Sequence, residues 1–288
     1  MSLLEKQTSS SSSFWIFQEN RMKPSHGGVP LSDRGFRYGQ HFFETIAIRN
    51  GRPLFIQEHI DRLARLALEH HFGTDPFWRE EVRAFLSTTC FDDGLLRLFL
   101  TAGDGALGAP IEQPRLFAFW EKSTFPSMEE IERGVSIISL QKHHGDEYWG
   151  IKNGNYWNHL CALKEAQRAC AAEGLVFSRD GFLISATMAN VIVWLEKNRT
   201  IQMMTPPRSH GARDGVVLSW VREHYPQISE GEITQGDLLD AKAILLTNSR
   251  LGVMPVLQLD GRALPNLSWA LEVAEKYQAF IVQQSIVH

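Results

Sequence analysis

The dipeptide Asn50-Gly51 is the sequence feature that most constrains how this chain folds. It separates an apolar and β-branched run, 42–49, from a second short run, 52–56. Asn-Gly readily adopts the two positive φ angles of a type I′ turn, which joins neighbouring antiparallel strands. The sequence therefore predicts a β-hairpin here. The segment that follows, 57–71, places apolar residues at helical spacing with charged residues opposite, which predicts an amphipathic helix.

The segments around the hairpin complete a small α+β domain, predicted over residues 14–120, with a turn at 33–39, a helix at 76–88 and strands at 94–102 and 114–120. Pro and Ser then interrupt the pattern at 121–128, which predicts a linker. Residues 129–288 form a larger domain of short strands and a few helices. Because strands and helices do not alternate regularly, we predict a two-lobed α+β fold and not a Rossmann sheet.

The composition limits the class of protein. With 288 residues, of which 43% are hydrophobic, the chain can bury the cores of two lobes. The net charge of −4 gives no electrostatic reason to expect nucleic acid or an anionic membrane as a partner. No apolar run reaches the length of a membrane span, and the Ser-rich segment 1–13 lacks the apolar centre of a signal peptide. We predict a disordered tail over 1–13 and a cytoplasmic protein.

The three cysteines have no CxxC spacing, which favours a reducing compartment. Cys161 and Cys170 fall inside a predicted helix, 157–172, and are interpreted as small core residues. The pairs His70-His71 and His143-His144 have no carboxylates or cysteines at ligand spacing. We therefore predict solvated histidines and no metal site.

Lys152 is the candidate nucleophile. It stands directly before a Gly/Asn-rich turn, with Tyr156 four residues later and the apolar face of the helix 157–172 beyond. Desolvation at the edge of a core lowers the pKa of a lysine toward the range in which the free amine reacts with an aldehyde cofactor. The alternative is a surface cation with a buried stem. The segments that accompany Lys152 along the chain favour the nucleophile.

Several segments resemble, in order, the fold-type IV pyridoxal-phosphate enzymes, which form the class IV aminotransferase family. The matching segments are Asp33–Gly39, Phe43-Glu44-Thr45, Glu58-His59-x-x-Arg62-Leu63, Lys152 with Asn155-Tyr156, Ser178–Gly181, Ala189-Asn190, Thr205-Pro206-Pro207, Gly215-Val216-Val217 and Thr247–Val256. The family includes branched-chain and D-amino-acid aminotransferases and 4-amino-4-deoxychorismate lyase. The turn Asn248-Ser249-x-x-Gly252-Val253 is most similar to that of the lyases.

The resemblance implies a D-amino-acid-aminotransferase-like fold whose domain 129–288 binds pyridoxal 5′-phosphate, in a homodimer. Lys152 would form the Schiff base with the cofactor and move the proton at the substrate's α-carbon. Tyr156 would lie near the cofactor's phenolic oxygen. The amides of Gly215, Val216 and Val217, at a helix N-terminus, would face the phosphate. The remaining residues implied are Ser185, Asn190, Asn248 and Ser249 at the cofactor and Tyr38 at the substrate.

Arg97 is a lone cation in the run 95–100. It is either exposed at a sheet edge or a clamp for a substrate carboxylate, and the sequence leaves both open.

The chain also departs from the family's pattern. Ser185 stands where a glutamate would pair with the pyridine nitrogen, and Ala47 where an arginine would reach the phosphate. Val217 replaces a threonine, and Gln40-His41 replaces Asp-Gly. Without a carboxylate the pyridine ring is a weaker electron sink, which disfavours transamination. The phosphate would then depend on another cation, for which the sequence offers Arg49, Arg208 and Arg213.

The function that these features favour is a lyase that converts 4-amino-4-deoxychorismate to 4-aminobenzoate and pyruvate for folate biosynthesis. An aminotransferase of the branched-chain or D-amino-acid type is the first alternative. A degenerate family member that keeps the fold without catalysis is the second. In each enzymatic case the partner is a small-molecule amino substrate.

Overall fold

The computed structural model describes residues 12–25, 27–73, 77–145, 148–197 and 200–286, so most of the predicted tail lies outside the described residues. The chain forms two compact units. The small unit contains residues 12–124 together with Lys152–Asn155, and the large unit contains 125–151 and 156–286. The chain leaves the small unit at Thr124, which falls within the predicted linker 121–128.

The small unit is built on an antiparallel sheet, six-stranded within the described residues, in the order β2-β1-β6-β5-β3-β4. Its elements are β1 Ser12–Gln18, β2 Arg21–Pro24, α1 Arg34–Tyr38, β3 His41–Arg49, β4 Arg52–Pro53, α2 Ile56–Glu69, α3 Phe77–Thr88, β5 Gly94–Thr101 and β6 Arg115–Lys122. The predicted hairpin is confirmed: β3 pairs with β4, and Asn50 and Gly51 have φ angles of 52° and 75°. The predicted helix after it is α2.

Helix α2 covers one face of this sheet because its apolar stripe meets alternate residues of the strands. Ile60 and Leu63 of α2 are fully buried, as are Ile46 of β3 and Leu96 of β5. Burial of one such side chain contributes about 1.5–3 kcal/mol. The opposite face of β3 carries Phe43, which is half-buried.

The segment 33–39 was predicted as a turn, and that prediction is wrong. It forms the short helix α1, because Asp33 caps it by accepting a hydrogen bond from the Gly35 amide at 2.7 Å. Gly39 then ends the helix in the left-handed conformation, with φ 66°.

The large unit contains a nine-stranded sheet within the described residues, in the order β12-β11-β10-β13-β14-β7-β8-β9, with β15 pairing on β14. Pairing is parallel between β14 and β7, β7 and β8, and β11 and β12, and antiparallel elsewhere. Its elements are α4 Met128–Arg133, β7 Val135–His144, α5 Trp157–Arg168, β8 Glu173–Phe177, β9 Leu183–Ala186, β10 Asn190–Lys197, β11 Thr200–Thr205, α6 Val216–His224, β12 Ile228–Glu230, β13 Ala241–Asn248, β14 Gly252–Leu259, β15 Arg262–Ala263 and α7 Leu267–Ile286, with 3₁₀ turns at Arg208–His210 and Asp237–Asp240.

Two local predictions in this unit need correction. Helix α5 ends at Arg168, so Cys170 lies beyond it, exposed and with φ 57°, while Cys161 is half-buried. Neither is the fully buried core residue expected. Helix α4 begins within the predicted linker, because Ser127 and Glu130 form a reciprocal capping box. Within the described part of the chain, the helices are too short or too polar to cross a membrane.

Candidate active site

Lys152 is buried in the small unit. The Lys152 carbonyl accepts a hydrogen bond from the Phe43 amide at 2.9 Å, and the Gly154 amide donates to His41 O at 3.0 Å. The segment 152–155 therefore pairs with the start of β3. A side chain at Gly154 would place its Cβ 2.6 Å from Gly39 O, so only glycine permits this approach.

The Lys152 side chain is 9% exposed, and its ammonium lies 4.3 Å from the centroid of the Phe43 ring. An ammonium at this distance is attracted to the face of the ring. The alternative of a solvated surface cation is therefore wrong, because the amine is largely removed from water.

A buried charge cluster lies next to Lys152 in the same unit. Glu44 accepts hydrogen bonds from Arg62 Nε and Nη2 at 2.7 and 2.5 Å, and its other contact is His59 Nδ1 at 2.8 Å. Burial opposes ionisation of Glu44, but the charge and hydrogen bonds of Arg62 and His59 hold its pKa well below the ordinary value. Burial lowers the pKa of His59, and the charges of Arg62 and Lys152 lower it further. From the sequence no role was predicted for this cluster, although His59 and Arg62 are one helical turn apart, a spacing that could have suggested a shared partner.

The other small-unit residues that the sequence singled out lie on three elements, β3, β5 and α1. Ala47 is 3% exposed within β3, in a closely packed environment. Arg97 is in β5, which lies between β3 and β6, so its interpretation as an edge residue is wrong. Its guanidinium forms an ion pair with Glu121. Tyr38, at the end of α1, is 38% exposed, and the Arg37 guanidinium lies 4.8 Å from its ring centroid.

In the large unit, the N-terminus of α6 is formed by Gly215, which has no side chain to cap it. The amides of Val216 and Val217 are in the first turn, where backbone donors lack helical partners. A Cβ on Gly215 would overlap Asn190 Oδ1, so glycine is required there. Asn190 is buried, and its Nδ2 donates to the carbonyl of Arg213 at 2.6 Å.

The turn after β13 lies beside Asn190. Asn248 Oδ1 accepts hydrogen bonds from the amides of Arg250 and Leu251 at 2.9 and 2.7 Å, and its Nδ2 donates to Met188 O at 3.2 Å. Asn248 thus shapes its own turn, and the neighbouring Ser249 is half-buried. Thr247 is fully buried, and within the described residues its hydroxyl has no hydrogen-bond partner. Thr247 pairs with Asn190 across β10 and β13, so both side chains are on the same face of the sheet.

Ser185 is buried, and its hydroxyl is engaged twice. It accepts from Trp149 Nε1 at 2.9 Å and donates to Ala186 O at 2.6 Å. The hydroxyl proton is therefore committed to the backbone. No carboxylate occupies this position.

Glu173, on the neighbouring strand β8, is a buried carboxyl that the sequence analysis missed. It accepts hydrogen bonds from the Thr187 hydroxyl and from the Met188 amide, the latter at 3.1 Å. Burial raises the pKa of Glu173 to about 7, although these bonds and the charge of Arg213 oppose the rise. An acidic residue inside a strand otherwise made of apolar residues was the available signal.

Tyr156 belongs to an aromatic cluster at the start of α5. Its ring stacks on His159, with centroids 4.4 Å apart, and Trp149 also packs on His159 at 3.8 Å. The two ring nitrogens of His159 face Thr187 O at 2.8 Å and Trp149 O at 3.2 Å. The Arg213 guanidinium carbon is 5.7 Å from the Tyr156 ring centroid.

Gly150, two residues before Lys152, packs against the loop that precedes α6. A Cβ on Gly150 would lie 2.7 Å from the carbonyl oxygens of Gly211 and Ala212. Glycine therefore lets these two loops of the large unit pack directly on each other. Lys152 follows Gly150 by two residues, and Arg213 directly follows Ala212.

Comparison with known proteins identifies the family. The family described as Amino-transferase class IV matches residues 41–259. The chain belongs to this family. Class IV aminotransferases are pyridoxal-phosphate-dependent enzymes that act on small-molecule amino substrates, so the predicted family, cofactor and enzymatic class are confirmed.

The relatives of this class IV enzyme carry more than one activity in their names. It is 28% identical over 264 residues to a D-alanine aminotransferase of Bacillus licheniformis, covering 86% of this chain and 89% of that one. It is 27% identical over 257 residues to an aminodeoxychorismate lyase of Vibrio harveyi, with coverage of 84% and 90%. The 4-amino-4-deoxychorismate lyase structure from Pseudomonas aeruginosa matches with a TM-score of 0.77 at 23% identity, covering 94% of this chain and 98% of that one.

A fold IV transaminase from Curtobacterium pusillum matches with a TM-score of 0.75 at 21% identity, covering 92% of this chain and 98% of that one. These structures establish the fold, and the predicted two-lobed α+β class is confirmed.

The residues of this class IV enzyme fit an anionic cofactor. The first turn of α6 presents backbone amides without a side-chain cap, which is a suitable environment for a phosphate group. Lys152 provides a buried amine. Within the part of the chain that the structure describes, no group of three or more His, Cys, Asp or Glu side chains could hold a metal ion.

Proposed function

We propose that this class IV enzyme is a pyridoxal-phosphate-dependent lyase that converts 4-amino-4-deoxychorismate to 4-aminobenzoate and pyruvate. The observation that carries the proposal is Ser185, whose hydroxyl bonds to Trp149 and Ala186 where the family pattern has a glutamate. Relatives named aminodeoxychorismate lyase, such as those of Vibrio harveyi and Bacillus subtilis, support the same assignment.

Lys152 is the proposed catalytic residue. When bound, pyridoxal phosphate supplies an electron-withdrawing ring that accepts negative charge from the substrate carbon. The Lys152 amine would hold the cofactor, remove the proton from the substrate's α-carbon and later return a proton. Its burial against Phe43 favours this role, because desolvation of a lysine favours the free amine, which can accept the proton of the substrate.

Ser185 favours elimination over transamination for an electronic reason. A serine hydroxyl cannot keep a proton on a ring nitrogen as a carboxylate does, and this hydroxyl already donates to Ala186 O. Transamination depends on extensive charge uptake by the ring. Elimination of pyruvate is driven in addition by formation of the aromatic product, so it tolerates a weaker electron sink.

The remaining site residues are proposed with the roles that their geometry supports. The phosphate would bind the amides of Gly215, Val216 and Val217, and Asn190 would fix Gly215. Further contacts are proposed as follows: the turn of Asn248 and Ser249 at the phosphate, Tyr156 at the cofactor's phenolic oxygen, and Tyr38 and Arg97 at the substrate.

An aminotransferase is the second candidate, and a specific relative favours it. A bifunctional aminodeoxychorismate lyase and D-amino acid transaminase of Mycobacterium tuberculosis is 27% identical over 281 residues, covering 88% of this chain and 95% of that one. A role in folate biosynthesis follows from the lyase proposal, and we further propose a homodimer and a cytoplasmic location.

The test is to measure both reactions on one preparation. We expect release of 4-aminobenzoate and pyruvate from 4-amino-4-deoxychorismate, and slow amino exchange between D-alanine or branched-chain amino acids and 2-oxoglutarate. Lys152→Ala should abolish both activities, which excludes a contaminating enzyme. Fast exchange with no aminobenzoate would refute the lyase and support the aminotransferase.

A further inference from the structure

Arg213 is a half-buried cation in the loop before α6. Within the described residues its guanidinium forms no ion pair with a carboxylate, and its Nε is buried without a hydrogen-bond partner. The charge of Glu173 is close enough to interact with it, but the pKa of Glu173 is raised to about 7, so that carboxyl is only partly ionised near neutral pH. A guanidinium N–H that is buried without a hydrogen-bond acceptor is costly for the folded protein. Such a residue is typical of a site that is completed by a ligand.

Other hydrogen-bonding groups lie around the same segment. The Arg213 carbonyl accepts from Asn190, whose side chain also contacts Gly215 at the start of α6. Next in the chain come the uncapped amides of the first turn of α6. The unpartnered hydroxyl of Thr247 is on the sheet face that Asn190 shares. A charged guanidinium, uncapped amides and a free hydroxyl are the complement of an anion.

We propose that Arg213 supplies the positive charge of an anion-binding site at the N-terminus of α6, shared with the amides of Val216 and Val217 and the hydroxyl of Thr247. The anion is a phosphate or a carboxylate group. The proposal rests on the proposed function only for whether that group belongs to cofactor or substrate.

Position matters for this assignment, since the other arginine of this loop does not fit it. Arg208 is 54% exposed and already interacts with Asp214 at 3.4 Å. Ala47, which stands where the family pattern has a phosphate-binding arginine, is packed inside β3 and carries no charge. Within the described residues, Arg213 is therefore the arginine of this loop that lacks an ion pair, and it precedes the N-cap of α6 by two residues.

The test compares Arg213→Met, which keeps the stem and removes the charge, with Arg208→Gln as the matched control. Titration calorimetry on cofactor-free protein uses inorganic phosphate, pyridoxal phosphate and 4-aminobenzoate as separate probes. Loss of a charge-assisted contact should weaken binding about 10- to 150-fold in Arg213→Met. Arg208→Gln should bind as the wild type does.

The probes distinguish the source of the anion. Weaker binding of phosphate and pyridoxal phosphate assigns Arg213 to the cofactor, and weaker binding of 4-aminobenzoate alone assigns it to a substrate carboxylate. Phosphate binding can depend on Arg213 even if the enzyme releases no aminobenzoate, so failure of the lyase proposal would be recognised separately. Unchanged affinity for all three probes, or no binding of any probe by the wild type, overturns the proposal.

Stability without ligand provides a second readout. Because the charge is unpaired, Arg213→Met should unfold at the same denaturant concentration as the wild type or a higher one. A structural arginine would give the opposite result. If Arg213→Met does not fold, Arg213→Lys replaces it, and we expect an intermediate loss of affinity for phosphate. Thr247→Val should also weaken phosphate binding. Unchanged phosphate affinity in both Arg213→Lys and Thr247→Val would overturn the proposal.

Discussion

Glu173 should make the stability of this protein depend on pH in a defined window. Burial raises the pKa of its carboxyl from 4.5 to about 7. Below pH 4.5 the group is protonated in both the folded and the unfolded chain and contributes no difference. Between pH 4.5 and 7 the unfolded chain loses the proton that the folded chain keeps, so the free energy of unfolding falls as pH rises.

The size of the effect follows from the same shift. One pKa unit corresponds to about 1.4 kcal/mol, so the loss accumulated up to pH 7 is about 3 kcal/mol. Above pH 7 the carboxyl is ionised in both states, and the loss stays constant. Glu173→Gln cannot titrate and should not show this dependence. The amide also changes packing and hydrogen bonds with Thr187 and Met188, but that offset does not vary with pH.

The assay is urea denaturation of cofactor-free protein at half-unit steps from pH 4 to 8.5. The quantity to compare is the difference in free energy of unfolding between wild type and Glu173→Gln, because other titrating groups then cancel. Burial lowers the pKa of His59, for example, in both proteins alike. Gln167→Ala, an exposed and non-titrating position of α5, is the control and should give a flat difference. A flat difference for Glu173→Gln between pH 4.5 and 7 would refute the reasoning.

Three further changes test the site and its surroundings. Borohydride reduction of the protein loaded with pyridoxal phosphate should label Lys152 in peptide mapping, and label on another lysine would contradict its role. Ser185→Glu should raise the rate of transamination relative to aminobenzoate release, measured on the same substrates as for the wild type; an unchanged ratio would show that Ser185 does not direct the reaction. Arg62→Met should destabilise the protein by about 3–5 kcal/mol in urea denaturation, because it leaves Glu44 buried without its main partner. A loss well below 1 kcal/mol would mean that Glu44 is satisfied by His59.

Short-range signals were sufficient for most of the secondary structure and for proposing Lys152 as the nucleophile. Asn50-Gly51 and the apolar stripe of α2 are formed by residues close in sequence, and each has one favourable local geometry. The turn around Lys152 was predicted for the same reason, because glycine at 154 is required by backbone contact. Segment 33–39 was wrongly predicted as a turn. Its two glycines, Gly35 and Gly39, indicate a turn more strongly than the single N-cap residue Asp33 indicates a helix.

The sequence by itself thus determined the order of most elements and the family, and it singled out Lys152 as the candidate nucleophile. Only the tertiary structure decided which polar groups have partners. Trp149 donates to Ser185 across 36 residues, and Glu173 meets Thr187 across 14. Among the residues that the structure describes, no carboxylate forms an ion pair with Arg213, although acidic residues lie near it in sequence. No local pattern encodes these outcomes, because hydrogen bonding and burial of a side chain depend on strands and loops that chain folding brings together from distant positions.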